Sequence, residues 1–207
     1  MRLILIRHGA ASYFERQIVP GATGCSGLTL DGEAQALKLC RRLQAPGELP
    51  ESAVLFSSPL ARAKETARIL SPAFTGQAIL PEPDLEEMRV GIADGMHWSD
   101  FASQFGEFDV KEQPDRRWAP EGESWNMFTQ RVTAFLDRIR NDYKDRTVVA
   151  VTHGGVIEVT MRALLGIPNL GTVATFFPSN TGRTEWSFQD SWKLECYNDT
   201  SHLDTQS

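Results

Sequence analysis

Two histidines occupy matching positions in the sequence, each after an apolar stretch and directly before a glycine. His8 follows the apolar residues 3–6, and His153 follows the β-branched stretch at 147–152. A neutral imidazole serves as nucleophile, general base or metal ligand, and an adjacent glycine leaves room for a ligand to approach. A single histidine is more often a hydrogen-bonded structural residue, but the matching positions of this pair favour a functional role.

Arginines accompany these histidines. Arg7 precedes His8, and Arg62 lies about one turn into a predicted helix. A guanidinium binds phosphate through two parallel N–H bonds, whereas its fixed positive charge disfavours a metal ion, and a zinc site usually needs about three or four protein ligands. The sequence therefore predicts an anion site without a metal. Spacing alone leaves open whether Arg62 faces this site or is a solvated helix residue.

Other devices that bind phosphate or attack it are missing from the sequence. There is no GxxxxGK[ST] loop, no GxGxxG fingerprint and no GxSxG nucleophile elbow. The candidate nucleophile is therefore a histidine.

Strand and helix signals alternate along the chain. Strands are predicted at 3–6, 54–56 and 147–152 with a hairpin at 183–188 and 192–197, and helices at about 31–44, 60–70, 124–143 and 154–165. This order predicts a three-layer α/β/α sandwich, with a mainly parallel central sheet and helices on both faces. Because ligands of such folds bind beyond the carboxyl ends of the strands, Arg7, His8, residues 57–59 and His153 are expected to converge on one edge of the sheet.

Length and composition predict a single domain over residues 1–207. The net charge is -6 and the sequence pI about 5.3, so non-specific nucleic-acid binding is not expected. No apolar run approaches the roughly eighteen residues of a membrane span, and the apolar start is too short for a signal peptide. Three separated cysteines predict reduced thiols in a cytoplasmic protein. The oligomeric state is not indicated.

Residues 89–123 are less regular and predict a cap or insertion over one end of the sheet, where substrate specificity is expected. Arg89, His97, Arg116 and Arg117 are candidates to contact a second anionic group, although solvation is favoured for the adjacent pair at 116 and 117. A polar, flexible tail is predicted at 198–207. The aromatic residues of this part of the chain are expected to pack the cap rather than bind a ring; they are Trp98, Phe101, Phe105, Phe108 and Trp118.

Four segments, in this order, resemble the histidine phosphatase superfamily, also called the phosphoglycerate mutase-like family: LIRHG, SSPLARAKETA, LEEMRVGIADG and VTHGG. The resemblance extends from residue 3 to about residue 184. It implies a phosphohistidine mechanism that needs neither metal nor cofactor and acts on a small phosphorylated metabolite. The roles it implies are His8 as nucleophile, Glu87 as proton donor and acceptor, and Arg7, Arg62, His153 and Gly154 as the phosphate pocket.

The segment after the first motif departs from the family pattern. Family members often carry a polar pair after RHG and an asparagine shortly afterwards, whereas here Ala10, Ala11 and Phe14 stand at these positions. Ser12 or the backbone of the 21–27 loop is a candidate replacement. Three functions follow: a phosphomonoesterase, a phosphoglycerate mutase and a non-catalytic phospholigand-binding protein. The full set of implied site residues argues against the third.

Overall fold

A six-stranded sheet forms the centre of the computed structural model, which describes residues 1–106, 109–110, 112–168 and 175–204. The strand order is β3-β2-β4-β1-β5-β6. The strands are β1 Arg2–Arg7, β2 Val54–Ser57, β3 Ile79–Pro81, β4 Thr147–Thr152, β5 Arg183–Phe188 and β6 Trp192–Asp199. The pairs β1–β4, β2–β4 and β2–β3 are parallel, and β5 and β6 add an antiparallel edge. The mainly parallel sheet that the sequence predicts is confirmed.

Alternate residues of β1 face opposite layers of helices, as the pleat of a strand requires. The five helices are α1 Leu30–Leu43, α2 Ala61–Leu70, α3 Trp98–Phe105, α4 Trp125–Asp142 and α5 Gly154–Leu165. Ile4 and Ile6 pack in one apolar cluster with α1 and α2, whereas Leu3 and Leu5 pack in a second cluster with α4 and α5. Both faces of the central strand are therefore buried, and only its carboxyl end is left for polar chemistry.

The cap has an apolar cluster of its own. Val19, Ala93, Phe101 and Ala119 are its buried members, and Trp98 packs against them. Val19 comes from the loop between β1 and α1, and its N–H donates to the Met96 carbonyl (2.9 Å). This loop and the 89–123 segment therefore form one wall above the carboxyl ends of the strands. Phe108 lies outside the described residues.

Two parts of the chain differ from their predictions. β3 was not predicted, since it has three residues and ends at Pro81, too short for a periodic pattern. The predicted flexible tail is wrong for residues 198–204: β6 extends to Asp199, and a 3₁₀ turn at Ser201–Leu203 follows. Arg42 of α1 holds both, donating to Asp199 (2.6 Å) and to Ser201 (2.7 Å). Residues 205–207 lie outside the described part of the chain.

No helix within the described ranges has the length and apolarity needed to span a membrane.

Candidate active site

The imidazole of His8 is buried directly after β1, with 2% of the residue exposed. Its Nδ1 lies 2.7 Å from the Gly9 carbonyl oxygen. Because a carbonyl oxygen only accepts, this contact assigns the proton to Nδ1 and leaves the lone pair on Nε2. The Gly9 N–H is itself held by Thr66 of α2 (3.1 Å). The ring is therefore fixed in the tautomer that presents a nucleophilic Nε2.

Arg62 lies at the beginning of α2 and is 1% exposed. Its Nε lies within hydrogen-bond distance of two ring nitrogens, Nε2 of His8 (3.1 Å) and Nδ1 of His153 (3.2 Å). Its Nη1 donates to the Pro20 carbonyl (3.1 Å), and the guanidinium lies over the ring of Tyr13, 5.0 Å from its centroid. The structure thus places Arg62 inside the site, where sequence spacing could not distinguish the site from solvent.

His153 is fully buried at the N-terminus of α5. Its Nε2 lies 2.8 Å from the Ser58 hydroxyl, and its Nδ1 accepts from Arg62. The proton therefore belongs on Nε2, which donates to Ser58. The rings of His153 and His8 are 5.1 Å apart. Residues 57–59 thus reach the site through Ser58, as the strand order predicts.

Both histidines are held in the neutral form. Burial, followed by the positive charge of Arg62, lowers the pKa of His8 well below its ordinary value, although the hydrogen bond to Gly9 opposes this. Burial and Arg62 likewise lower the pKa of His153 well below its ordinary value. At neutral pH a lone pair is therefore available on Nε2 of His8.

Arg7 provides a second guanidinium at the end of β1. Its Nη1 donates to the Pro178 carbonyl (2.6 Å), and Phe177 lies under the guanidinium, with its ring centroid 4.5 Å away. Its Nε is buried and has no hydrogen-bond partner. A buried N–H without a partner is unfavourable, so this donor is suited to an oxygen of a bound anion.

Glu87 lines the same cavity as His8 and contacts the beginning of α5. Its Oε2 accepts from the Gly155 N–H (3.1 Å) at the beginning of α5, and its Oε1 accepts from the Met88 N–H (3.1 Å). Glu86 points to a different partner, Arg89 (2.7 Å). Of the two adjacent glutamates, Glu87 is therefore the one that shares the cavity with His8.

The two glycines after His153 differ in their steric requirement. A Cβ at Gly154 would make ordinary contacts, 3.4 Å from the Phe177 ring and 3.8 Å from Nε of Arg7. A Cβ at Gly155 would instead overlap the Glu87 carboxylate. Gly154 lines the cavity as predicted, but Gly155, which the sequence analysis did not single out, is the glycine that the site requires.

Arg131 of α4 is a second residue that the sequence analysis missed. Its guanidinium donates to the carbonyls of Asp84 (2.8 Å), Glu86 (3.0 Å) and Glu87 (3.3 Å). It is held in turn by the carboxylate of Glu123 at 2.7–2.8 Å. Burial raises the pKa of Glu123, but the hydrogen bonds from Arg131 and from the Arg89 N–H, together with the charge of both arginines, outweigh burial and leave this pKa below its ordinary value. The pair therefore fixes the backbone that carries Glu87.

The cap arginines do not reach the cavity. Arg89 forms its ion pair with Glu86, and Arg116 and Arg117 donate to cap carbonyls at 2.6 Å and 2.5 Å. None of the three lines the cavity that contains His8. Their contact with a second anionic group therefore stays a prediction: Arg116 and Arg117 bind carbonyls of the cap, and Arg89 binds the carboxylate of Glu86.

The loop after His8 contributes an aromatic residue where a polar one was expected. Phe14 is 74% exposed, and Ser12 bonds to Ser26 (2.6 Å), away from the cavity. Neither Ser12 nor the 21–27 loop lines the cavity, whereas Tyr13 does. The expected replacement by Ser12 or the loop backbone is therefore not observed.

The cavity itself has a volume of about 340 Å³. His8, Arg7, Arg62 and Glu87 all line it. In the part of the chain that the structure describes, no three His, Cys, Asp or Glu side chains are grouped so that they could hold a metal ion. The arrangement can bind a phosphoryl group, attack it and exchange a proton with the leaving or attacking oxygen.

The chain is similar to known proteins over nearly its whole length. A family model described as "Histidine phosphatase superfamily (branch 1)" matches residues 3–200. A metal-independent phosphoserine phosphatase of Arabidopsis thaliana is 27% identical over 206 residues, covering 97% of this chain and 82% of the relative. A probable phosphoglycerate mutase of Shigella boydii is 27% identical over 213 residues, covering 99% and 95%. The solved alpha-ribazole phosphatase of Shigella flexneri has a TM-score of 0.79 at 25% identity and covers 97% of each chain.

Proposed function

Because the chain belongs to the histidine phosphatase superfamily, branch 1, we propose that it is a metal-independent phosphatase that hydrolyses a small phosphorylated metabolite through a phosphohistidine. The observation that carries the proposal is the neutral Nε2 of His8, fixed by Gly9 and placed beside Arg62. The metal-independent phosphoserine phosphatase and the alpha-ribazole phosphatase among the similar proteins support the same reaction class.

In the first step Nε2 of His8 attacks phosphorus, and the bond from phosphorus to the ester oxygen breaks. Arg7 and Arg62 donate to the phosphoryl oxygens, where the transition state carries its negative charge. Glu87, protonated at this stage, gives its proton to the leaving alkoxide. The bond from Nδ1 of His8 to the Gly9 carbonyl stabilises the positive charge that the ring acquires.

In the second step Glu87, now a carboxylate, accepts a proton from a water molecule that attacks the phosphohistidine. The bond from phosphorus to nitrogen breaks, inorganic phosphate leaves, and His8 returns to its neutral form. The same carboxyl group thus serves as acid and then as base. His153 orients Arg62 throughout, since its Nδ1 and Ser58 fix the position of the guanidinium Nε.

A phosphoglycerate mutase is the second candidate, because one relative carries that name. A mutase must hold the carboxylate of a phosphoglycerate and, in the bisphosphate form, a second phosphate. The cavity offers no arginine or lysine for them among its described lining residues beyond Arg7 and Arg62. Hydrolysis is therefore favoured over transfer.

We also propose a cytoplasmic location. It is supported by the three cysteines, none of which forms a disulfide.

Removal of metal ions is expected to leave the activity unchanged. Turnover of p-nitrophenyl phosphate should be the same before and after dialysis against excess EDTA, because arginines supply the positive charge at the phosphoryl group. Loss of turnover with EDTA, restored by a divalent cation, would contradict the proposal. Interconversion of phosphoglycerates that depends on a bisphosphate primer would favour the mutase instead.

Replacing Glu87 by glutamine is expected to lower kcat on an alkyl phosphate such as 2-phenylethyl phosphate by roughly 10²- to 10⁴-fold. Glutamine keeps the shape of the side chain but cannot transfer the proton. Glu86→Gln is the matched control, since Glu86 is adjacent in sequence and pairs with Arg89. Steady-state kinetics of the two variants should differ by at least tenfold, and equal losses would remove Glu87 from the mechanism.

A further inference from the structure

The cavity that contains the phosphoryl site is lined largely by aromatic side chains of three separate segments. Trp98 and Trp118 come from the cap, Trp125 and Phe128 from α4, and Phe177 from the segment before β5. The rings of Trp98 and Trp118 meet edge to face at 6.1 Å, and those of Trp125 and Phe128 at 5.9 Å. These pairs give the cavity rigid, flat, apolar walls, which favour ring systems by burial and stacking.

The charges in the cavity are distributed unevenly. Of the described residues that line it, the cationic ones are Arg7 and Arg62, and both lie against the phosphoryl site. The other charged residues in its lining are Glu87 and Glu158. Glu158 forms an ion pair with Arg162 (2.8 Å), so the charge of this arginine is balanced by a carboxylate of the protein itself.

A second anionic group on the substrate would therefore be buried among aromatic rings and near two glutamates. Burial of a carboxylate without a cation is strongly unfavourable. The indole N–H of Trp125, which lines the cavity and is buried without a hydrogen-bond partner, is a neutral donor and supplies no compensating charge. The volume of about 340 Å³ is at the lower end of ordinary ligand sites, roughly 300–1,000 Å³. It is suited to a phosphate with a compact ring system.

We propose that the substrate is the phosphomonoester of an aromatic or otherwise apolar alcohol that carries no second anionic group. This inference rests on the proposed function for its chemistry, but its selectivity is a property of binding. The proposed selectivity would distinguish this protein from two of its relatives, because the phosphoserine and phosphoglycerate in their names both carry a carboxylate.

The test compares 2-phenylethyl phosphate with 3-phosphoglycerate and phosphoserine, three esters of primary alcohols. We expect kcat/KM for the phenylethyl ester to be at least about 100-fold higher. Calorimetry with the inactive His8→Ala variant should show the same preference in Kd without any turnover. Equal or tighter binding of phosphoglycerate would overturn this inference and leave the phosphatase chemistry intact. Preferential binding of the phenylethyl ester without turnover by the native enzyme would support this inference and contradict the proposed function.

A variant with an added cation provides a second test. Met88 lines the cavity and is partly buried, so Met88→Arg should lower the ratio of kcat/KM for the phenylethyl ester to that for phosphoglycerate by at least about tenfold. Met127→Arg is the matched control, because Met127 is 39% exposed on α4 and does not line the cavity. Equal ratios in the two folded variants would count against the proposal; should Met88→Arg fail to fold, the binding comparison decides.

Discussion

His8→Ala is expected to lower kcat/KM for phosphomonoesters by roughly 10⁴- to 10⁶-fold, the loss typical when a covalent nucleophile is removed. Alanine leaves the phosphoryl group without an attacking atom, although Arg7 and Arg62 remain to bind it. Substrate affinity should therefore change far less than kcat. Steady-state kinetics combined with calorimetry on the same variant separates the two effects.

The control is His97→Ala. His97 precedes α3 and is exposed, its side chain does not cap that helix, and it does not line the cavity. This variant should retain activity within about twofold of the native protein, as surface substitutions usually do. Thermal unfolding of both variants distinguishes chemistry from stability. Retention of more than about a tenth of the native kcat by folded His8→Ala would exclude His8 as nucleophile.

Arg62→Met is expected to lower kcat/KM by about 10³- to 10⁵-fold, the range found when an arginine that stabilises a transferring phosphoryl group is removed. Methionine fills part of the buried space but donates no hydrogen bonds, so His8, His153 and Pro20 each lose a donor. Arg68→Met is the matched control, because Arg68 lies on the same helix and is exposed.

Arg62→Met is also expected to change the pH at which His8 and His153 become protonated. After burial, the charge of Arg62 is the next cause that lowers the pKa of His8 and of His153. Its removal should raise both pKa values, so that each ring becomes protonated at a higher pH than in the native protein. Titration of the ring protons by NMR measures this directly. Unchanged titration of both rings would show that Arg62 does not lie where the structure places it.

The sheet and the core of the site could be predicted because their signals are local. Residues 3–6 and 147–152 are apolar on both faces, as buried parallel strands must be, and each ends in a histidine and a glycine. The carboxyl ends of neighbouring parallel strands then bring these residues together. β1 and β4 are indeed adjacent, with Arg7 opposite Thr152.

The features that could not be predicted depend on distant or charged partners. Arg131 binds carbonyls 44 to 47 residues away, and no spacing rule connects such positions. The cap arginines were proposed to contact a ligand because the sequence does not show which carbonyls and carboxylates of the protein bind their guanidinium groups in the folded structure. The order at 198–204 likewise depends on Arg42 and Lys38 of α1, not on apolar residues of the tail itself.

The aromatic residues of the cap show the same limit. They were expected to pack the cap, and Phe101 does so, with 7% of the residue exposed. Trp98 and Trp118 both pack against that cluster and line the cavity. A side chain large enough to serve a core and a site together cannot be assigned to one of them from its position in the sequence.

The central claim is that His8 carries the phosphoryl group between the two steps. Rapid acid-free quenching during turnover of a ³²P-labelled ester, followed by ³¹P NMR and peptide mapping, tests it most directly. The structure predicts a base-stable, acid-labile phosphohistidine, phosphorylated on Nε2 of His8, because Nδ1 is bound to the Gly9 carbonyl. Turnover without label on His8, or label on any other residue, would contradict it.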